Sequence, residues 1–186
     1  GGIVLESGKL QGEVTAPLVS QIPMPESWRG VLFVRREAEG LHGDAERTAF
    51  AGLKLVPFEL TAELTRLAVM EILPAVLSAR FIDFASALTA YGKLAGKPFE
   101  RASSRLPYAG ETAQLFEWLD LQGVKGFAQS SWGPAVVAAC ESSVDADSLV
   151  SAAEAAGISD QHEIRVIAFD NNGAVVREVD ESSTPV

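Results

Sequence analysis

The chain has 186 residues, of which 47% are hydrophobic and 22% charged, with a formal net charge of -10. That length supports one domain, or one and a piece, with ample apolar material for a packed core. The acidity argues against a nucleic-acid or anionic-membrane binder, since either needs a basic surface. It leaves room for a few local Arg and Lys residues to draw a phosphorylated small molecule into one cleft.

No signal peptide opens the chain, and no apolar run approaches the roughly 18 to 20 residues of a membrane span. The single cysteine, Cys140, cannot form an internal disulfide and reads as an inert buried thiol in the run Ala135–Cys140. This points to a reducing, cytoplasmic setting. The chain opens on Gly1-Gly2-Ile3-Val4 without an initiator methionine, so a fragment of a longer protein is expected.

Residues 1–22 read as a hairpin, with two apolar strands about a glycine-containing turn. A lone hairpin is marginal in water, so it is assigned to the end of a preceding domain. Residues 23–180 form the main unit, and 181–186 a frayed tail. Trp28-Arg29-Gly30 leads into a buried strand, Val31–Val34. Asp44 is a candidate N-cap for a helix that begins at Ala45. By residue pattern alone, His42 is a solvated loop side chain, because no second His or Cys stands at ligand spacing.

Residues 59–97 predict two helices. In the first, Pro74 is expected to kink or end a turn, because proline lacks an N–H and crowds the preceding turn. The second carries Phe81, Phe84, Leu88, Tyr91 and Leu94 as a core stripe. Residues 99–110 have no periodicity but hold Arg101, Ser103, Ser104 and Arg105, a set able to clamp a phosphate bidentately or simply to face water. A helix over Glu111–Leu121 ends at Gly123.

A strand then enters the polar loop Gln129-Ser130-Ser131-Trp132-Gly133-Pro134, and a second apolar strand leaves it. Small hydroxyl residues in such a loop can offer hydroxyls and N–H groups to an anion, although most loops of this kind are plain connections. A short helix from Asp145 to Gly157 follows. Two strands, Glu163–Phe169 and Ala174–Val179, close the chain about an Asn172-Gly173 hairpin turn. The β–α–β–β–α–β order predicts an α+β, ferredoxin-like split βαβ: an antiparallel sheet with helices packed on one face. No Walker phosphate loop, HExxH, CxxC, nucleophile elbow or dinucleotide fingerprint is present.

The Gln129–Pro134 loop resembles the third motif of the GHMP kinase superfamily, and in its specific form the beta-ribofuranosylaminobenzene 5'-phosphate synthase family. Gly1–Val4, the Trp28–Val34 strand, Gly40–Phe50 and the Met70–Val76 helix are similar to that family in order and spacing. Two departures stand out: Phe127-Ala128 replaces a glycine expected before the Gln, and His42 replaces a small residue.

The resemblance implies a GHMP-type C-terminal domain that closes a cleft with a missing N-terminal domain. It implies condensation of 4-hydroxybenzoate with phosphoribosyl diphosphate, releasing carbon dioxide and diphosphate, with Mg2+ carried on the diphosphate. The implied partners are thus a phosphorylated sugar and an aromatic acid, and a homodimer is allowed. Ser130 and Ser131 become candidate catalytic residues. Gln129, Trp132, Gly133, His42, Arg47, Arg101 and Arg105 become candidate substrate-binding residues. Two other readings stay open, namely an ATP-dependent small-molecule kinase and a non-catalytic ligand-binding or dimerisation domain.

Overall fold

The computed structural model describes residues 1–10, 12–36, 43–53, 55–98, 111–130 and 133–176. Strands β1 (Ile3–Glu6) and β2 (Leu18–Ile22) pair antiparallel as a separate two-stranded ribbon, as the sequence leads one to expect. It is tied to residues that follow the last strand of the main sheet. Gly2 N–H donates to the Asp170 carbonyl at 2.6 Å, and Asn171 bridges both backbone groups of Met24, at 2.8 and 2.9 Å.

The main sheet has four antiparallel strands in the order β4-β5-β3-β6, formed by β3 (Arg29–Arg35), β4 (Phe127–Gln129), β5 (Ala135–Cys140) and β6 (His162–Ala168). In chain order the sheet runs fourth, first, third, second, the ferredoxin-like arrangement with β5 set between the parallel β3 and β4. The expected fold class therefore holds.

Alternation decides which face is covered. Val31 and Phe33 of β3, Phe127 of β4, and Val136 and Ala138 of β5 are buried on one face. They pack against Leu115, Phe116 and Leu119 of α5 (Glu111–Leu121) and Ala146, Leu149 and Ala153 of α6 (Ser143–Ala155). Leu32, Val34, Val137 and Ile167 point to the opposite face and are half-buried.

Cys140 is buried in the first core, and burial pushes its thiol up to about 11, which keeps it protonated and unreactive. His162 is 6% exposed, with Nδ1 3.2 Å from the Ile158 carbonyl. Desolvation holds its imidazole below the ordinary value of 6.5, opposed by the Ile158 bond, with the Arg35 cation also lowering it. Because the unfolded chain binds this proton more readily, stability is fully present above pH 6.5 and falls as pH drops below it. Urea midpoints should therefore decline through that range in the parent chain, and a His162→Gln variant should show a shallower decline.

A second core joins Ile22, Met24 and Trp28 to Ile72, Ala75, Val76, Phe84 and Ala87, with Trp28 stacked on Phe84 at 4.9 Å. Pro74, expected to kink or end a turn, marks a change of helix type. The chain does not break there. It runs from α2 (Phe58–Arg66) through a π-helical segment (Leu67–Ile72) into α3 (Leu73–Leu77). The wider turn just ahead of Pro74 accommodates a residue that can neither donate nor tolerate a close carbonyl. Arg66 binds Glu63 at 2.8 Å and Glu71 at 2.5 Å, and its five-residue spacing to Glu71 suits the wider turn.

The other helix starts differ by small shifts. α1 spans Gly43–Ala51, so Asp44 sits inside its first turn and binds Arg47 at 3.3 Å rather than capping. α6 is capped by Ser142, whose Oγ accepts from Asp145 N–H and donates to the Asp145 carboxylate. Gly157, at φ 72°, ends that helix, as expected. Residues 174–176 are exposed and not in a strand, so within the described residues the expected final hairpin does not form.

Candidate functional site

The site is the loop between β4 and β5, and its position depends on how α4 (Phe81–Gly96) holds β4. β4 is a sheet edge, and an edge strand needs something to satisfy its outward groups. Thr89 of α4 supplies this. Its Oγ1 accepts from Phe127 N–H at 2.9 Å and lies 2.5 Å from the Lys125 carbonyl. Gly126 lets the helix approach, because a Cβ there would stand 2.8 Å from Ala85 Cβ and 2.9 Å from its Cα.

Ala85 faces Gly126 and Thr89 faces Phe127, so α4 runs alongside β4 in the same direction. Its last turn thus arrives at the loop end of the sheet. Lys93, in that turn, lies over the Phe127 ring at 5.5 Å. Lys97 follows and is exposed.

The loop itself is a closed turn. Ser130 N–H donates to the Ala135 carbonyl at 2.8 Å, and Gly133 N–H to the Ser130 carbonyl at 2.7 Å. Gly133 adopts φ 77°, a region that favours glycine, and the peptide to Pro134 is cis. A Cβ on Gly133 would stand 3.4 Å from the Gln129 side-chain amide, so half-buried Gln129 lies against this glycine. The N–H groups of Ser130 and Gly133 are thus spent inside the loop. What Ser130 presents outward is its exposed hydroxyl.

The sequence residues are brought together unevenly. Gln129, Ser130 and Gly133 form one turn. Arg47 stands on α1 with 81% of its side chain exposed and binds Asp44, so it is not packed on the loop. His42, Arg101, Arg105, Ser131 and Trp132 lie outside the described residues.

Sequence reasoning passed over Arg35 and Arg36. The end of β3 lies beside the loop, with Val34 opposite Ala135, so both arginines belong to the loop end of the sheet. The signal was a basic pair directly after an apolar strand. With Lys93 and Lys97 they bring four cationic residues to this end, beside Glu163, which is ion-paired to Arg165, and Arg36 is followed in sequence by the acidic Glu37 and Glu39. Such an arrangement can hold an anionic oxygen between hydroxyl and cation.

At the opposite end of the sheet, a cleft of about 440 Å³ is lined by Phe81, Gly123, Lys125, Cys140, Asp145 and Leu149, among others. Among the described residues, no group of three His, Cys, Asp or Glu is placed to hold a metal ion. No helix there is long and apolar enough to cross a membrane.

No family model matches the chain. No curated protein matches it either. Among solved structures, the chain is similar to mevalonate pyrophosphate decarboxylase from Streptococcus pyogenes, at TM-score 0.61 and 14% identity, over 85% of this chain and 49% of that one. It is also similar to homoserine kinase from Cytophaga hutchinsonii ATCC 33406, at TM-score 0.45 and 16% identity, over 82% and 44% of the two chains. At these identities the likeness is one of fold, and this chain spans about half the length of the structures it matches.

Proposed function

We propose that this chain is the C-terminal half of a phosphoribosyl-transferring synthase, similar to beta-ribofuranosylaminobenzene 5'-phosphate synthase of methanopterin biosynthesis. The observation that carries the reading is the Gln129–Pro134 turn, closed on Gly133 and flanked by the basic end of β3. The partner domain would supply the other wall of the cleft.

In this reading C1 of the ribosyl group bonds to the carboxyl-bearing carbon of 4-hydroxybenzoate. Diphosphate leaves with the electron pair of the C1–O bond. Loss of the carboxylate as carbon dioxide then returns the electron pair to the ring. The Ser130 and Ser131 hydroxyls steady the charge that grows on the departing oxygens, and Arg35 or Arg36 balances it from the adjacent strand. Trp132 stacks on the aromatic acid, and Gln129 orients it. His42, Arg47, Arg101 and Arg105 would reach the same cleft from their own segments.

The described donors at the loop end are the Ser130 hydroxyl and the nearby cations, which suit phosphate oxygens rather than a metal. Mg2+ would therefore arrive on the diphosphate, where it neutralises charge.

The test is product analysis on the full-length protein with carboxyl-labelled 4-hydroxybenzoate, phosphoribosyl diphosphate and magnesium. Labelled carbon dioxide should be released in step with diphosphate. ATP-dependent phosphorylation of a small alcohol without carbon dioxide release would instead make the protein a small-molecule kinase of the same fold.

A further inference from the structure

β6 is an edge strand of seven residues, and among the described residues no strand pairs with its outer side. Of the residues expected to do so, Ala174–Val179, the described ones, 174–176, are exposed instead. The ladder fixes which backbone groups that outer side offers. Arg36 N–H donates to the Gln161 carbonyl at 3.0 Å, one step beyond the Arg35–His162 pair of the β3–β6 register. Bonded and non-bonded pairs alternate along an antiparallel ladder, so Glu163, Arg165 and Ile167 turn their N–H and C=O toward β3. His162, Ile164, Val166 and Ala168 turn theirs outward.

We infer that this edge pairs with β6 of a second copy of the chain, antiparallel, about a two-fold axis at Ile164. Charge selects the register. With the axis at Ile164, outward-turned residues meet outward-turned residues, His162 against Val166 and Ile164 against Ile164. Glu163 of each copy then lies directly opposite Arg165 of the other. The two neighbouring registers of the same backbone parity place Glu163 on Glu163 or Arg165 on Arg165, and directly opposed like charges destabilise a strand pair.

Glu163 and Arg165 are already ion-paired within the chain, with Nε to Oε1 at 2.7 Å, and both are substantially exposed, so they can be shared across the axis. The contact is isologous and closes on itself, joining two four-stranded sheets into one. It covers an edge with which no described strand pairs, and an uncovered edge invites indiscriminate pairing.

Sedimentation velocity over a concentration series tests this. The parent chain should dimerise reversibly, and Glu163→Arg or Arg165→Glu alone should weaken that association about tenfold or more. An equimolar mixture of the two variants should recover it, because each then meets opposite charge across the axis. An effect on the intrachain ion pair alone would give no such recovery. Ile164→Pro deletes an outward N–H that the β3 ladder does not use, so it should leave a folded monomer by circular dichroism. A parent chain that stays monomeric throughout, or a mixture no better associated than its components, overturns the proposal. So does a chain shortened after Val176 that dimerises where the parent does not, since that assigns the edge to the chain's own C-terminal residues.

Discussion

Ser131→Ala in the full-length protein should lower kcat/KM for carbon dioxide release by a factor that corresponds to about 2 to 4 kcal/mol, with little change in stability. The reasoning begins with the neighbouring turn. Ser130 and Gly133 use their N–H groups to close the loop, so those two do not meet a departing anion, and the reading turns to the hydroxyls and to the cations at the end of β3. A hydroxyl that donates only as charge grows acts on the transition state more than on bound substrate, so kcat should fall while KM changes little. Ser131→Thr keeps a donor and should retain more activity than the alanine variant. An unchanged rate in Ser131→Ala would remove it from the chemistry and leave it a turn residue.

Gly126→Val should destabilise the isolated chain by about 3 kcal/mol, at the upper end of the usual cost of overpacking. A first added carbon already stands 2.8 Å from Ala85 Cβ and 2.9 Å from its Cα, and one of those contacts is backbone. Helix α4 can relieve it only by moving off β4, and that motion stretches the Thr89 bonds to Lys125 and Phe127. Thr89→Val, similar in size but without the donor and acceptor, should cost about 1 to 3 kcal/mol by leaving backbone groups at the edge unsatisfied. The two substitutions act on one seam, so the double variant should lose less than the sum. Chemical denaturation of the four proteins measures this, and strict additivity would show that helix and strand are held independently.

Hydrophobic pattern carried most of the fold. Val31–Val34, Phe127 and Ala135–Cys140 are apolar enough to demand a sheet, and the helical stripes supplied what covers it. What escaped was tertiary. Asn172-Gly173 is a strong hairpin signal, yet a dipeptide records only that the chain turns. Here Asp170 binds Asn172 and Gly173 by its side chain and Gly2 by its carbonyl, while Asn171 reaches Met24, distant in sequence. Those contacts place the turn against the start of the chain. The outer edge of β4 is taken by a threonine hydroxyl rather than by another strand, which no local pattern announces. Pro74 was legible as a disturbance, but a π turn that absorbs it leaves no mark in composition.

The candidate site was legible in part for the same reason. Gln129, Ser130 and Gly133 are neighbours in sequence and stay neighbours in space. Arg35 and Arg36 join them only through the pairing of β3 with β5, which no local pattern reveals. Arg47 was drawn in by resemblance, and it stands exposed on α1, ion-paired to Asp44, apart from the described part of the loop.

The claim that ligand binds at the loop end of the sheet is tested most directly by hydrogen exchange on the full-length protein, with and without phosphoribosyl diphosphate and magnesium. Peptides covering Phe127–Val136 and the end of β3 at Arg35-Arg36 should gain protection. Those around the opposite cleft, Gly123–Lys125 and Glu141–Leu149, should not change. Protection confined to that opposite cleft, or none at saturating ligand, would contradict the account.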